Sequence, residues 1–197
     1  MIAGLILAAG ESRRMRRDKA LLTYRGRTFL QNIIESLATA GIEKVTVVLG
    51  HHADIIQNAT NLAGVRVVLN PDYQRGQTSS LQVGLAAAAV DSPEAIILCL
   101  VDHPAVSSKV IFELCRRFES TRPLVLIPTH KDKRGHPVVI SQALFPELSA
   151  LPPSDSANTI IRKYHRATEF LEVSDPGVLL DVDDPETYER LAESGKQ

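Results

Sequence analysis

Five short segments of this chain concentrate residue types that handle phosphates and metal ions. The first runs Leu7-Ala8-Ala9-Gly10-Glu11-Ser12-Arg13-Arg14-Met15-Arg16-Arg17-Asp18-Lys19. Its small residues let a ligand approach the backbone closely. Arg13, Arg14, Arg16, Arg17 and Lys19 then gather five cations in one loop. A polyphosphate is the natural counter-charge, because Arg grips phosphate oxygens bidentately and Lys acts as a point charge. A solvated basic turn is the plainer reading of the same residues. The spacing is neither G-x-x-x-x-G-K-[ST] nor G-x-G-x-x-G, which argues against a P-loop NTPase and a dinucleotide dehydrogenase.

The second segment, Val101-Asp102-His103-Pro104, follows a continuous apolar run. A carboxylate at the end of a central strand points into the ligand crevice of an open α/β sheet, although an Asx turn or a helix cap would also use it. The third, Asp181-Val182-Asp183-Asp184-Pro185, holds three carboxylates in four residues. On a strand, Asp181 and Asp183 face the same side. Hard oxygen ligands of this kind suit Mg²⁺, while Asp183 or Asp184 before Pro185 also reads as a helix N-cap. The fourth, Gly76-Gln77-Thr78-Ser79-Ser80-Leu81, precedes a helical stretch, where its hydroxyls either bind a ligand or cap the helix. The fifth, Lys133-Arg134-Gly135-His136-Pro137, reads alone as a β-turn entering a strand. His51-His52 and Tyr164-His165 read as surface or packing residues.

Positioning these segments requires a sheet. Apolar runs at 2–7, 45–49, 65–69, 95–101, 124–127 and 137–140 predict strands, and 28–40, 52–62, 78–90 and 107–118 predict helices between them. Gly41 ends the first helix and Ser107 caps the fourth. Beyond a loop at 151–156, the pattern predicts a helix at 157–166, strands at 168–173 and 178–180, and a closing helix at 185–192. The alternation predicts a single-domain, doubly wound α/β fold, its sheet mostly parallel with helices on both faces and a right-handed crossover at each parallel pair. The domain spans residues 1–192, with 193–197 a frayed tail.

Composition narrows the partners. The chain has 197 residues, 44% of them hydrophobic, enough for one large core. Its 22 Lys plus Arg balance 23 Asp plus Glu, so no broad nucleic-acid or acidic-lipid surface is expected. Cys99 and Cys115 read as buried small hydrophobes in a reducing compartment. No apolar stretch approaches the ~20 residues that span a bilayer, and a cytoplasmic location is expected.

Leu7-Ala8-Ala9-Gly10 followed by Arg14-Met15 and Lys19 resembles the signature loop of the MobA-like nucleotidyltransferases. The likeness extends over most of the chain and is greatest to the molybdenum cofactor cytidylyltransferase branch. It implies a Rossmann-like fold of the nucleotide-diphospho-sugar transferase type. The implied activity is transfer of a nucleotidyl group, CMP from CTP, onto a phosphate-bearing acceptor of the molybdopterin type, with release of pyrophosphate. Arg14 and Lys19 are then the catalytic cations, aided by Asp102; Leu7, Ala8, Ala9, Gly10, Arg13, Gly76 and Ser80 complete the nucleotide site. Asp102 and Asp183 would ligate Mg²⁺, Asp184 would cap, and Arg134, Gly135 and His136 would meet the acceptor. His103 falls at a variable position and at most lines the site. Transient contact with a molybdoenzyme follows from the same likeness. Family members commonly carry Gly after the Met, where this chain has Arg16. They often carry a Gly-Asp-x-Gly-Ala-Arg-like stretch where this chain has Ser154-Asp155-Ser156-Ala157-Asn158-Thr159. A sugar-phosphate nucleotidylyltransferase and a non-catalytic nucleotide-binding maturation factor are the alternatives.

Overall fold

A computed structural model describes residues 1–194 of the protein. Strand β1 (Ile2–Ala8) is buried at every position, as expected of a strand covered on both faces. The hairpin β2 (Thr23–Tyr24) and β3 (Arg27–Thr28) leads into helix α1 (Phe29–Thr39), where Thr28 and Gln31 form a capping box. The chain continues through β4 (Val45–Leu49), α2 (Ala53–Ala59), β5 (Arg66–Leu69), α3 (Gln77–Ala88), β6 (Ala95–Leu100) and α4 (Ser108–Thr121). Ser107 caps α4 through its side chain, as anticipated. Next come β7 (Val125–His130), β8 (Lys133–Arg134), β9 (Val138–Ser141), α5 (Phe145–Ser149), α6 (Ala157–Lys163), β10 (Thr168–Glu172) and α7 (Pro185–Ser194).

The main sheet runs β10-β7-β9-β6-β1-β4-β5, with β8 paired to β7. Every pairing in it is parallel except those of β8 and β9. The architecture is therefore the doubly wound, mostly parallel sheet expected, with one antiparallel strand set between β6 and β7. From β1 the chain builds outward in one direction through β4 and β5 and in the other through β6. This reversal is where an open α/β sheet forms its ligand crevice. The parallel register puts Leu7 beside Leu100, so the loop after β1 and the Asp102 turn after β6 leave the sheet side by side. Two large apolar clusters cover the sheet, one including Leu30, Leu37 and Phe118, the other Leu81, Leu85 and Leu148. Cys99 and Cys115 are buried free thiols, and burial pushes the Cys99 thiol up to about 12.

Three local expectations are corrected. Residues 178–180 are not a strand, because Pro176–Leu179 turns as a 3₁₀ helix whose start is held by the Asp175 carboxylate accepting from Gly177 N at 2.8 Å. Asp181 and Asp183 therefore lie on an irregular segment, yet they still flank a fully buried Val182. The helix at 157–166 stops at Lys163 and continues as the 3₁₀ turn His165–Ala167. Finally, α7 carries helix through Ser194, where fraying is expected from 193; residues 195–197 of that tail lie outside the described residues.

Candidate functional site

The loop after β1 is folded on itself by a few bonds. Met15 N and Arg16 N both donate to Ser12 O, at 3.0 and 3.1 Å, and Lys19 N donates to Ser12 Oγ at 3.2 Å. Ser12 and Arg16 take the left-handed conformation, with φ of 50° and 53°. Met15 anchors the loop in a third apolar cluster with Leu22, Tyr24, Phe29, Val182 and Leu191. That cluster joins the loop to the C-terminal carboxylate segment. Val182 N also donates to Asp102 O at 2.9 Å, which hangs the same segment from the end of β6.

Lys19, Asp102 and Asp183 meet as a result. The Lys19 ammonium donates to Asp183 Oδ1 at 2.5 Å and to Asp102 Oδ2 at 3.1 Å, although Lys19 is only 8% exposed. Burial works against the charge of Lys19, but Asp102 and Asp183 outweigh it and hold its pKa above the ordinary lysine value. The Lys19 hydrogen bond, with Arg14 assisting, holds the Asp183 carboxyl below its usual range. Arg14 Nη2 donates to Asp183 Oδ2 at 2.5 Å. Asp181 shifts the other way, raised by burial and by Asp102 and Asp183 beside it. Asp184 caps α7, its Oδ1 accepting from Thr187 N at 2.8 Å.

One cavity opens on this centre and a second adjoins it. The first, of about 240 Å³, is lined by Leu7, Ala9, Gly10, Lys19, Gly76, Ser80 and Asp102 from the expected set. Ser12, Tyr73 and Gln77 line it as well. Ser12 and Gln77 lie inside the two segments already singled out, whereas nothing in the sequence marks Tyr73. Gly76 enters α3 at φ 100°, a conformation that favours glycine. Asn70 donates to both Ser79 Oγ and Ser80 Oγ at 2.9 Å, fixing the hydroxyls. Three expected residues do not reach this cavity. Ala8 is buried in the core, and the Arg13 and Arg14 side chains are 81% and 72% exposed, held by Glu11 and Asp183.

The second cavity, of about 180 Å³, shares Gln77 and Leu100 with the first. Arg134, Gly135 and His136 line it, as do Ser156 to Asn158 from the loop and start of α6. Its floor is apolar, formed by Leu98, Ile127, Val138 and Ile161. The Arg134 guanidinium stacks 4.8 Å from the Phe170 ring centre. Gly135 packs so tightly that a Cβ there would lie 2.4 Å from Val178 O. His136 faces His103 with ring centres 4.7 Å apart. Burial and the neighbouring His103 push His136 down to about 4, and burial likewise lowers His103. His103 is buried and lines neither cavity.

Among the described residues, two groups could hold a metal ion. Asp102, His103 and Asp181 offer ligand atoms within 4.8 Å of one another, and so do Asp18, His51 and His52 at the far edge of the loop. The first trio fits a divalent cation better, because Asp102 Oδ1 is buried without a hydrogen-bond partner. In the second trio both imidazoles are engaged, His51 with Tyr73 and His52 with Asp18.

The chain is 33% identical over 197 residues to nicotine blue oxidoreductase of Paenarthrobacter nicotinovorans, covering 96% of each protein. It is 29% identical over 171 residues to a probable molybdenum cofactor guanylyltransferase of Opitutus terrae, covering 87% of this chain and 76% of that one. Among solved structures, Rv0371c of Mycobacterium tuberculosis superposes with a TM-score of 0.84 at 31% identity, over 98% of this chain and 97% of that one. A manganese complex of Rv0371c superposes with a TM-score of 0.78 at 28% identity, over 98% of each chain. Residues 4–168, which carry the loop, the β6 end and the turn lining the second cavity, match the MobA-like NTP transferase domain, and the chain belongs to that family.

Proposed function

We propose that this nucleotidyltransferase moves CMP from CTP onto the phosphate of a molybdopterin-type acceptor and releases pyrophosphate. The observation that carries the reading is the buried Lys19, hydrogen-bonded to Asp102 and Asp183, at the first of two cavities that share Gln77 and Leu100. The nucleotide occupies the first cavity and the acceptor the second. An acceptor phosphate oxygen attacks the α-phosphorus, the bond from that phosphorus to the bridging oxygen breaks, and pyrophosphate leaves with the electron pair. Catalysis of this kind is positioning and charge neutralisation. Lys19, which lines the first cavity, meets the charge on the leaving pyrophosphate, and Arg14 joins it on turning inward from Asp183. A phosphate acceptor is already a nucleophile at pH 7 and needs no base.

Asp102 would hold a divalent cation, with Mg²⁺ the physiological candidate, and the cation would supply charge neutralisation at the phosphates. Asp183 would be its second ligand, and its two oxygens accept hydrogen bonds from Lys19 and Arg14. The apolar floor of the second cavity fits a flat ring system better than a sugar, whose hydroxyls need partners. The product would pass by transient contact to a molybdoenzyme in the cytoplasm. No helix among the described residues is long and apolar enough to cross a membrane.

The base assignment rests on Ala9. In the resembling family, guanylyl-transferring members carry Leu-Ala-Gly-Gly, with Gly at this position, and cytidylyl-transferring members carry Leu-Ala-Ala-Gly. A methyl group there narrows the space beside the base and acts as a filter of roughly 1–3 kcal/mol against a purine. Pyrophosphate release across four NTPs, with and without molybdopterin, tests the reading. Ala9→Gly should raise GTP turnover relative to CTP, and a wild-type preference for GTP would overturn the pyrimidine assignment. A second reading, oxidoreductase, is favoured by the 33% identity to nicotine blue oxidoreductase. NADH or NADPH consumption with a flat aromatic acceptor, in the absence of pyrophosphate release, would establish it instead.

A further inference from the structure

We propose that Thr78 and Gln82 are positioning residues for the second cavity. They tie its wall to the helix that meets the nucleotide, so that binding in the first cavity steadies the second. This rests on the transfer reading and deepens it by naming the side chains that couple the two substrates.

Helix α3 carries both sets of contacts. Gly76, Gln77 and Ser80 at its start line the first cavity. Thr78 lies between them in the chain, and Thr78 and Gln82, four residues apart, share another face of the helix. Thr78 is only 5% exposed, and its hydroxyl donates to Asp155 O. The Gln82 side-chain nitrogen donates to Leu151 O at 2.9 Å, to Ser149 O at 3.1 Å and to Leu148 O at 3.3 Å. The last two carbonyls belong to the final turn of α5, where helical carbonyls run out of N–H partners.

The segment 150–156 depends on these bonds. Its other hydrogen bonds are local, such as that from Asp155 N to Pro152 O at 3.0 Å. Among the described residues, each hydrogen bond that joins 150–156 to a distant part of the chain comes from Thr78 or Gln82. Between Leu151 and Ile160 no residue is fully buried, so apolar packing grips this stretch weakly. Asp155 immediately precedes Ser156, Ala157 and Asn158, which line the second cavity. The body of α3 is a firm base, since a Cβ on Gly84 would lie 2.5 Å from Leu5 Cδ1 of β1. A nucleotide on Gly76, Gln77 and Ser80 stills the turn of helix that holds Thr78, and the bond to Asp155 carries that order to the acceptor wall. Such coupling is reciprocal, so the acceptor favours the nucleotide in turn.

The test is hydrogen–deuterium exchange on the whole protein, read at residues 148–158 with and without CTP and Mg²⁺. In wild type, CTP should slow exchange there, although the segment does not line the first cavity. Thr78→Val keeps the shape of the side chain and removes its donor. It should speed exchange by about 2- to 10-fold, the worth of one hydrogen bond, and lose most of the slowing by CTP while CTP affinity is unchanged. Thr78→Ser keeps the hydroxyl and should restore both. Gln82→Met should behave like Thr78→Val, and Gln82→Lys, which offers an ammonium to the same carbonyls, should restore protection. With molybdopterin as acceptor, Thr78→Val should raise KM for molybdopterin more than KM for CTP. CTP bound to wild type without slowing at 148–158, or equal slowing in wild type and Thr78→Val, would overturn the proposal. Pyrophosphate release on the same samples keeps the two readings apart. Slowing without release defeats the transfer reading alone, release without slowing defeats this proposal alone, and failure to bind any of the four NTPs defeats both.

Discussion

Replacing Lys19 with methionine keeps the length of the side chain and removes the buried counter-charge of two carboxylates. The ammonium lies 2.5 Å from Asp183 and 3.1 Å from Asp102. At about 3 Å and an effective dielectric of about 20, each pair is worth about 5 kcal/mol before desolvation is counted. Breaking a fully buried pair by deleting one partner costs about 3–5 kcal/mol. The carboxylates here keep 24% and 32% of their side-chain exposure, so water recovers part of that. The expected loss at about pH 7.5 is about 2–4 kcal/mol, or roughly 4–16 °C in Tm for a domain of this size. The pH dependence carries a definite sign. In the wild type the Asp183 pKa is held below its unfolded value of 3.8, so its stabilisation is present above that pH and lost as pH falls through the folded value. Without Lys19 the clustered carboxylates repel, their pKa values rise, and proton uptake relieves the repulsion. The gap between wild type and Lys19→Met should therefore narrow from about pH 7.5 towards about pH 4. Denaturant melts at several pH values measure it, and pyrophosphate release should fall by about 10²–10³ in kcat. A variant as stable as wild type at neutral pH, or a gap that widens in acid, would refute the argument.

Three other perturbations test separate parts of the site. Arg16 sits at φ 53°, where a side chain costs about 1–2 kcal/mol, so Arg16→Gly should leave Tm unchanged or raise it slightly while Arg16→Val lowers it. Gly135→Ala puts a methyl 2.4 Å from Val178 O, and the acceptor turn must move; the loss should be about 1–3 kcal/mol, with KM for the acceptor rising more than KM for the nucleotide. His136 is pushed down to about 4 from 6.5, so the unfolded chain takes up its proton first and stability falls as pH drops from 6.5 towards 4. That contribution is about 2 kcal/mol at about pH 5 and about 3 kcal/mol below about pH 4, and denaturant melts of His136→Gln should show a correspondingly flatter acid limb.

Local pattern carries part of this fold. Continuous apolar runs mark β1, β4 and β6 in the sequence, because a strand buried on both faces has no polar side to alternate with. From those strands, the crevice at their ends and most of the residues lining the first cavity follow. The antiparallel insertion of β9 is not legible in the same way, since Val138–Ser141 has the same apolar run whichever way it points. Nor is the 3₁₀ turn at Pro176–Leu179, where three apolar residues imitate a strand that a proline and an Asp175 side-chain bond prevent.

Charge counting misleads in one respect and guides in another. Five cations in the first loop read as one phosphate grip, but only burial decides which of them carries the site. Arg13 turns outward to Glu11, and its exposed pair contributes little, since water screens it and two long side chains must be ordered to make it. Lys19 points inward because Ser12 holds its backbone and two carboxylates wait at separate chain positions. Those contacts span 83 and 164 residues, distances over which spacing carries no information. The three-carboxylate run at 181–184 is visible in the sequence, and alternation around Val182 places Asp181 and Asp183 together even without a strand. What alternation does not show is which of the two finds cationic partners. Lys19 and Arg14 occupy Asp183 and leave Asp181, among the described residues, without a hydrogen bond or ion pair, a division set by tertiary packing of the Met15 cluster rather than by the motif.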